Sequence, residues 1–373
     1  MELQLIKKPY LISFSGSPVP FSFAVSPYTA NDAAQDIRVQ IFLLIEKAFG
    51  SNVYTEEYSE EMYPGSKGEV SIEMQSVIDP FLTWFVPSIK LNVTEVANGQ
   101  FCRFKLQYKL IKNNELLGDV ETTDSFICIK GGMSYPLWRP VWYFNNLVTQ
   151  NYFLGIDNQP ITAFTDEKKF LYYLHNHDIG LGDTMLLPSV YDDQFYQAEF
   201  IVTGNNGIEY SVTKTISEIF ETGKIMCIPS GYTQNNLAAL LPAGVLPVSY
   251  LITLKECYTV EGLLETYEMA AATYKIDHRT FYNTSDLFYF NSAGNLNTER
   301  IRGKVDYEAE YEKQAAERVT TPDYFLNAVP VATAVTLKPE ETQRSKGATG
   351  FLTKTRAEQL RDLFLSEVKF ELK

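Results

Sequence analysis

The chain is poor in the residues that most small-site chemistry needs. Only three histidines and four cysteines occur in 373 residues. Histidine-based catalysis therefore has few bases to draw on, and a soft-metal site has few ligands. The cysteines stand far apart, at 102, 128, 227 and 257, with no CxxC pair, which argues against a zinc site and a dense disulfide framework. Positive charge is also scarce: 32 Lys and Arg face 46 Asp and Glu, for a formal net charge of −14. Such a field repels phosphate backbones, so nucleic-acid binding is not expected. No run approaches the ~18 apolar residues of a membrane span. The start, Met-Glu-Leu-Gln-Leu-Ile-Lys-Lys, lacks the basic-then-apolar order of a signal peptide. A protein made in a cytoplasm is expected, in which the sequons at Asn92 and Asn283 carry no meaning.

What is present is the material of β-sheets. The chain has 24 Tyr and 24 Phe, and its 45% hydrophobic and 21% charged content is that of an ordered globular protein. Residues 101–110 alternate: Cys102, Phe104, Leu106, Tyr108 and Leu110 point one way, Arg103, Lys105, Gln107 and Lys109 the other. That period of two predicts a strand with one buried and one wet face. Asn98-Gly99 before it predicts a tight hairpin. Val39, Ile41, Leu43 and Ile45 alternate with Arg38, Gln40, Phe42 and Leu44, which predicts a strand covered on both faces. Val70, Ile72 and Met74 follow a Pro64-Gly65 turn, and a return strand is expected over Val120–Lys130.

These strands and their Gly, Pro and Asn turns predict an antiparallel β-sandwich-like domain over 1–130. Gly131-Gly132 with Pro136 and Pro140 marks a boundary. A second sandwich-like domain is expected over 131–303, with strands at 170–174, 197–203, 208–215, 248–257, 273–277 and 287–290. Residues 304–373 read as a small α+β segment. There, Thr355 and Glu358 fit a capping box, predicting a helix at about 356–366, and Val368, Phe370 and Leu372 predict a closing strand. Residues 305–318 fit a helix by propensity and a strand by alternation, and pattern alone leaves both open. The fold expectation is therefore mainly β, with two consecutive antiparallel sandwich-like domains and this C-terminal region.

Candidate chemistry is thin. His175-Asn-His177-Asp178 places two imidazoles on one face of a strand, but no third ligand is identifiable and His278 lies a hundred residues on. A polar turn is the favoured reading. Gly180-Leu-Gly182-Asp183 lacks the third glycine and the context of a dinucleotide site. Ser15-Gly16-Ser17 and Ser230-Gly231 form no nucleophile elbow. Asp192-Asp193 and Glu60-Glu61 could supply the paired carboxylates of a glycan hydrolase, yet neighbours on a strand face opposite sides. Trp84, Trp138 and Trp142 could stack on sugars, but Trp138 and Trp142 sit among prolines and read as packing beneath a joint. No catalytic, cofactor-binding or metal-ligating residue is nominated, and no cofactor is expected.

Three segments carry a resemblance: Lys8-Pro-Tyr-Leu-Ile-Ser-Phe-Ser-Gly-Ser-Pro-Val19; Ile129-Lys-Gly-Gly-Met133; and Thr349-Gly-Phe-Leu-Thr-Lys354 with Leu360-Arg-Asp-Leu-Phe-Leu-Ser366. Together they resemble tail or baseplate-type structural proteins of Bacteroidetes-like phages and prophages. The resemblance implies a non-enzymatic virion protein of the tail, a ring, adaptor or baseplate component, made in the host cytoplasm. It implies partners that are other copies of the chain and other tail proteins, and no catalytic residues. The alternative expectation is a carbohydrate-binding or adhesion module at a tail tip or cell surface, contacting host-surface glycan; a glycan hydrolase ranks third.

Overall fold

The computed structural model describes residues 1–29, 32, 35–89, 92–132, 153–155, 160–175, 195–217, 223–260, 263–281, 284–312, 315–319, 332–336, 340–348 and 369–372, with side chains through residue 301. The protein is mainly β. Nine of the first ten strands build its first core, β7 being the exception: β1 (Glu2–Lys7), β2 (Ile12–Phe14), β3 (Pro20–Ser26), β4 (Ile37–Glu46), β5 (Tyr54–Met62), β6 (Glu69–Glu73), β7 (Glu95–Val96), β8 (Phe101–Lys112), β9 (Glu115–Thr122) and β10 (Phe126–Ile129). A three-stranded sheet, β1-β3-β6, faces a six-stranded sheet, β2-β10-β8-β4-β5, in which β9 also pairs with β8. β7 alone pairs outside this core.

The alternation read from the sequence sets these faces. Leu43↔Leu106, Ile41↔Tyr108 and Val39↔Leu110 stand opposite one another on β4 and β8, and all six are buried. Phe21 and Phe23 of β3 reach them from the other sheet. Phe21 packs edge-on against Phe126, with ring centroids 5.4 Å apart, a geometry worth about 1 kcal/mol beyond burial. The outward row, Gln40, Phe42 and Leu44, is half-buried, as expected for a strand covered on both faces.

Seven strands build the second core: β11 (Ile161–Ala163), β12 (Phe170–Leu174), β13 (Phe195–Gly204), β14 (Glu209–Ile216), β15 (Ile225–Pro229), β16 (Pro247–Val260) and β17 (Leu263–Ile276). Their sheets run β11-β17-β16-β13-β14 and β12-β15-β7. Every residue of β12 and β15 is buried. Tyr250 and Tyr274 stack between the sheets, centroids 4.7 Å apart and planes 11° off parallel.

Three findings refine the sequence reading. Asn98-Gly99 does form a turn, with Gly99 at φ +85°, but it joins strands of different sheets: β7 pairs with β15 and β8 with β4 and β10. The expected return strand over Val120–Lys130 is two strands, β9 and β10, broken at 123–125; both pair with β8. Two pairs, β2–β10 and β11–β17, are parallel, because short segments from distant chain regions fill those sheet edges.

By compactness the chain divides into two units. The first is built chiefly on Met1–His278 with Phe288–Thr298, and so holds both cores; the second is built chiefly on Arg279–Leu287 with Glu299–Glu358. The remaining strands are β18 (Thr284–Phe290), β19 (Leu296–Glu312), β20 (Ala315–Val319), β21 (Ala332–Thr336), β22 (Glu340–Ala348) and β23 (Lys369–Leu372). They order as β22-β19-β18-β23 and a β20–β21 pair. β19 and β20 settle residues 305–312 and 315–318 as strand, so alternation prevails over helix propensity there. The helix expected at 356–366 lies outside the described residues.

Within the first unit, two of the three segments that carried the resemblance meet. Ser15 N–H donates to Ile129 O (2.9 Å), Gly16 N–H to Gly131 O (2.6 Å) and Gly132 N–H to Ser292 O (2.7 Å). A Cβ on Gly16 would lie 2.9 Å from Gly131 O, and one on Gly131 would lie 2.8 Å from Ser292 O. These glycines therefore let three backbones touch: the turn after β2, the end of β10 and the turn between β18 and β19.

Candidate functional site

The histidines do not gather. His175, at the end of β12, is 4% exposed and lies among aromatic rings, with Tyr196 edge-on at 6.0 Å. His278 bonds the Pro247 carbonyl. His177, Asp178, Gly180, Gly182, Asp183, Asp192, Asp193, Trp138 and Trp142 lie outside the described residues. Among the described residues, no group of three or more His, Cys, Asp or Glu could hold a metal ion. Glu60 and Glu61 take separate structural partners: Tyr58 Oη donates to Glu60 (2.6 Å) and Arg38 pairs with Glu61 (2.7 Å). Trp84 stacks on Phe290, centroids 4.7 Å apart, so its ring is covered by protein.

Two buried groups with chemical potential are structurally committed. The Glu167–Lys169 ion pair (2.8 Å) lies in the second core. Glu167 also accepts from Phe164 N–H (3.1 Å), and Lys169 donates to Thr298 O (3.1 Å). Two paired and hydrogen-bonded charges tie a loop and leave little for catalysis. The cysteines are free thiols. Burial pushes Cys102 up to about 12 and Cys128 and Cys227 well above the usual thiol range; such thiols are poor nucleophiles.

Exposed strands offer more. β16 and β17 form a hairpin of two 14-residue strands. β13 flanks β16 over Pro247–Cys257, but β11 flanks β17 only over Tyr274–Ile276. From Leu263 to Thr273 the outer edge of β17 has no partner strand among the described residues. Residues 263–268 are all exposed, and three are large and apolar: Leu263 (69% exposed), Leu264 (58%) and Tyr267 (48%). An uncovered edge with apolar side chains is a template for pairing with another chain.

The edge strand β5 contrasts with it. Glu56, Glu57, Glu60 and Glu61 fall within its nine residues, and like charges deter one β5 from pairing with another. On the outer face beside it, Arg103, Lys105 and Lys109 lie over the rings of Phe49, Tyr54 and Phe42 at 4.3, 4.4 and 5.0 Å. These contacts use the protein's own aromatics to hold its cations in place.

A cavity of about 160 Å³ opens beside the other edge of the β16–β17 sheet, at β14. Lys214, Asn235, Phe200 and Ile228 line it together with the hydroxyl residues Thr94 and Thr215. Lys214 is an exposed residue, and its ammonium lies over the Phe200 ring at 5.3 Å. It donates to Asn235 O (3.0 Å) and Asn235 Oδ1 (3.1 Å), and burial lowers its pKa. Neither the cavity nor Lys214 was marked by any sequence motif: a lysine on an alternating strand gives no signal of the loop that meets it.

No helix among the described residues is long and apolar enough to cross a membrane. No protein-family model matches the chain, and no curated protein matches it. Among solved structures, the chain is similar to the full extracellular region of plexin A4, at 11% identity. That alignment covers 74% of this chain and 24% of the plexin chain, with a TM-score of 0.19. The chain thus spans about a quarter of the plexin's length, and a superposition that loose carries no argument.

Proposed function

We propose that the chain is a non-enzymatic assembly protein of a phage or prophage tail, joining copies of itself or neighbouring tail proteins through exposed sheet edges. The outer edge of β17, which has no partner strand among the described residues over Leu263–Thr273 and displays Leu263 and Leu264, carries this reading. Strand addition there would satisfy open backbone groups and bury apolar side chains at the same time. The acidic β5 supports the same reading, because it directs pairing away from one edge of the protein and leaves β17 available. The tail assignment rests on the resemblance of the three segments described above. The glycan-binding alternative gains nothing from Trp84, whose ring is stacked on Phe290.

The test is sedimentation of the purified chain over a range of concentrations, alone and with proteins of the same tail, beside a Leu263→Asp/Leu264→Asp variant. The expected result is self-association or binding to a tail protein by the wild type and its loss in the variant, together with detection of the chain in purified particles. A wild type that stays monomeric, binds no tail protein and is absent from particles would overturn the reading.

A further inference from the structure

We propose that the cavity at Lys214 is a binding site for a small hydroxycarboxylate. The argument starts from the ammonium. Lysine carries three N–H donors and no acceptor, and two of those of Lys214 go to neutral oxygens of Asn235. No described carboxylate forms an ion pair with it, and burial alone accounts for the fall in its pKa. Among the described residues this ammonium thus has only neutral oxygen partners, in a chain where acids outnumber bases by 46 to 32.

Asn235 is itself fixed. Its side-chain amide donates to Pro229 O and Gly231 O, both at 3.0 Å, so its Oδ1 is aimed at Lys214 by geometry rather than by chance. The ammonium is held at the mouth of a preformed space with one donor still to place. Phe200 and Ile228 give that space an apolar floor, and Thr94, Thr215 and Ser217 border it with hydroxyls. A carboxylate would take the remaining N–H and neutralise the charge, with hydroxyl groups bonding the border.

Size narrows the class. The volume is about 160 Å³, close to that of an apolar cavity of about 150 Å³ that accepts benzene. The occupant therefore has about six or seven heavy atoms, as in lactate or glycerate. The same chemistry could come from an acidic side chain of a second copy, and the test separates the two sources.

Isothermal titration calorimetry of the full chain with sodium glycerate, at ionic strength fixed by sodium chloride, is the decisive measurement. Saturable binding with a Kd below about 10 mM is expected. Lys214→Met, which keeps the stem, is expected to weaken it by about ten- to a hundredfold, with the chain still folded but melting at a somewhat lower temperature because Asn235 loses the two hydrogen bonds that Lys214 donates. Lys214→Arg is expected to retain much of it, and neutral glycerol not to bind. The proposal is overturned if glycerate gives no saturable heat, if Lys214→Met binds as well as wild type, or if glycerol binds equally. It is overturned too if the wild type self-associates, Lys214→Met does not, and glycerate fails to bind, because the cavity then takes a carboxylate from another copy.

Discussion

Replacing Gly131 with alanine tests the idea that close backbone contact holds the end of β10 against the β18–β19 turn. Gly131 has φ +147°, a region nearly closed to residues with a Cβ, and holding alanine there costs about 1–3 kcal/mol. The new methyl would also sit 2.8 Å from Ser292 O and 3.2 Å from Phe14 Cδ1. Ser292 O is the acceptor for Gly132 N–H at 2.7 Å, so moving it aside weakens a hydrogen bond worth about 1 kcal/mol. The sum is a loss of about 2–4 kcal/mol, a large share of the roughly 5–15 kcal/mol that holds a typical protein folded. Gly118→Ala is the control. Gly118 also has positive φ, +85°, but a Cβ there meets nothing within 4 Å, so only the backbone penalty of about 1–2 kcal/mol remains. Urea unfolding followed by far-UV circular dichroism would measure both. Equal losses at the two sites, or a Gly131→Ala chain within about 0.5 kcal/mol of wild type, would refute the contact argument.

Two further outcomes are expected. Burial alone would raise the Asp79 pKa, but the Lys130 ammonium at 2.6 Å and the Ser15 hydroxyl together outweigh it and hold the carboxyl below its ordinary 3.8. A depressed folded-state pKa contributes stability above the unfolded value and loses it as pH falls through the folded value. Asp79→Asn should therefore be less stable than wild type at pH 7, with the gap closing below about pH 4. A gap constant across a pH series of urea titrations would contradict the pairing. The second concerns the thiols: with burial pushing Cys102 up to about 12 and Cys128 and Cys227 well above the usual thiol range, iodoacetamide at pH 8 should label these three in the native chain roughly a thousandfold more slowly than after unfolding. Fast native labelling of any of the three, read by mass spectrometry, would show the buried assignment to be wrong.

The strands were legible where one face is buried and the other wet. Phe104, Leu106, Tyr108 and Leu110 are buried as their spacing required. Alternation also decided 305–312, because a repeat of two fits a pleated strand and scatters around a helix. Pairing partners were not legible. Nothing local to Asn98-Gly99 says that the strands it joins enter different sheets, or that Ile12–Phe14 runs parallel to β10, since such choices are made by residues more than a hundred positions apart. The glycines at 131 and 132 stood out as a break; their use as a contact between backbones is visible only in three dimensions. The Lys214 cavity was illegible for the same reason: Asn235 reaches it from a loop that follows β15, twenty-one positions along the chain.

β7 has a consequence for dissection of the protein. This two-residue strand comes from the N-terminal stretch yet completes the β12-β15-β7 sheet, through Val96↔Met226 and Glu95↔Cys227. Ala97 N–H adds a bond to Ile225 O at 2.8 Å. A fragment beginning after Gly132 would leave β15 with a raw, greasy flank, and its companion ending there would carry a dangling ribbon. The two halves are thus cross-laced, and expression of either alone should give a stickier product than the intact polypeptide.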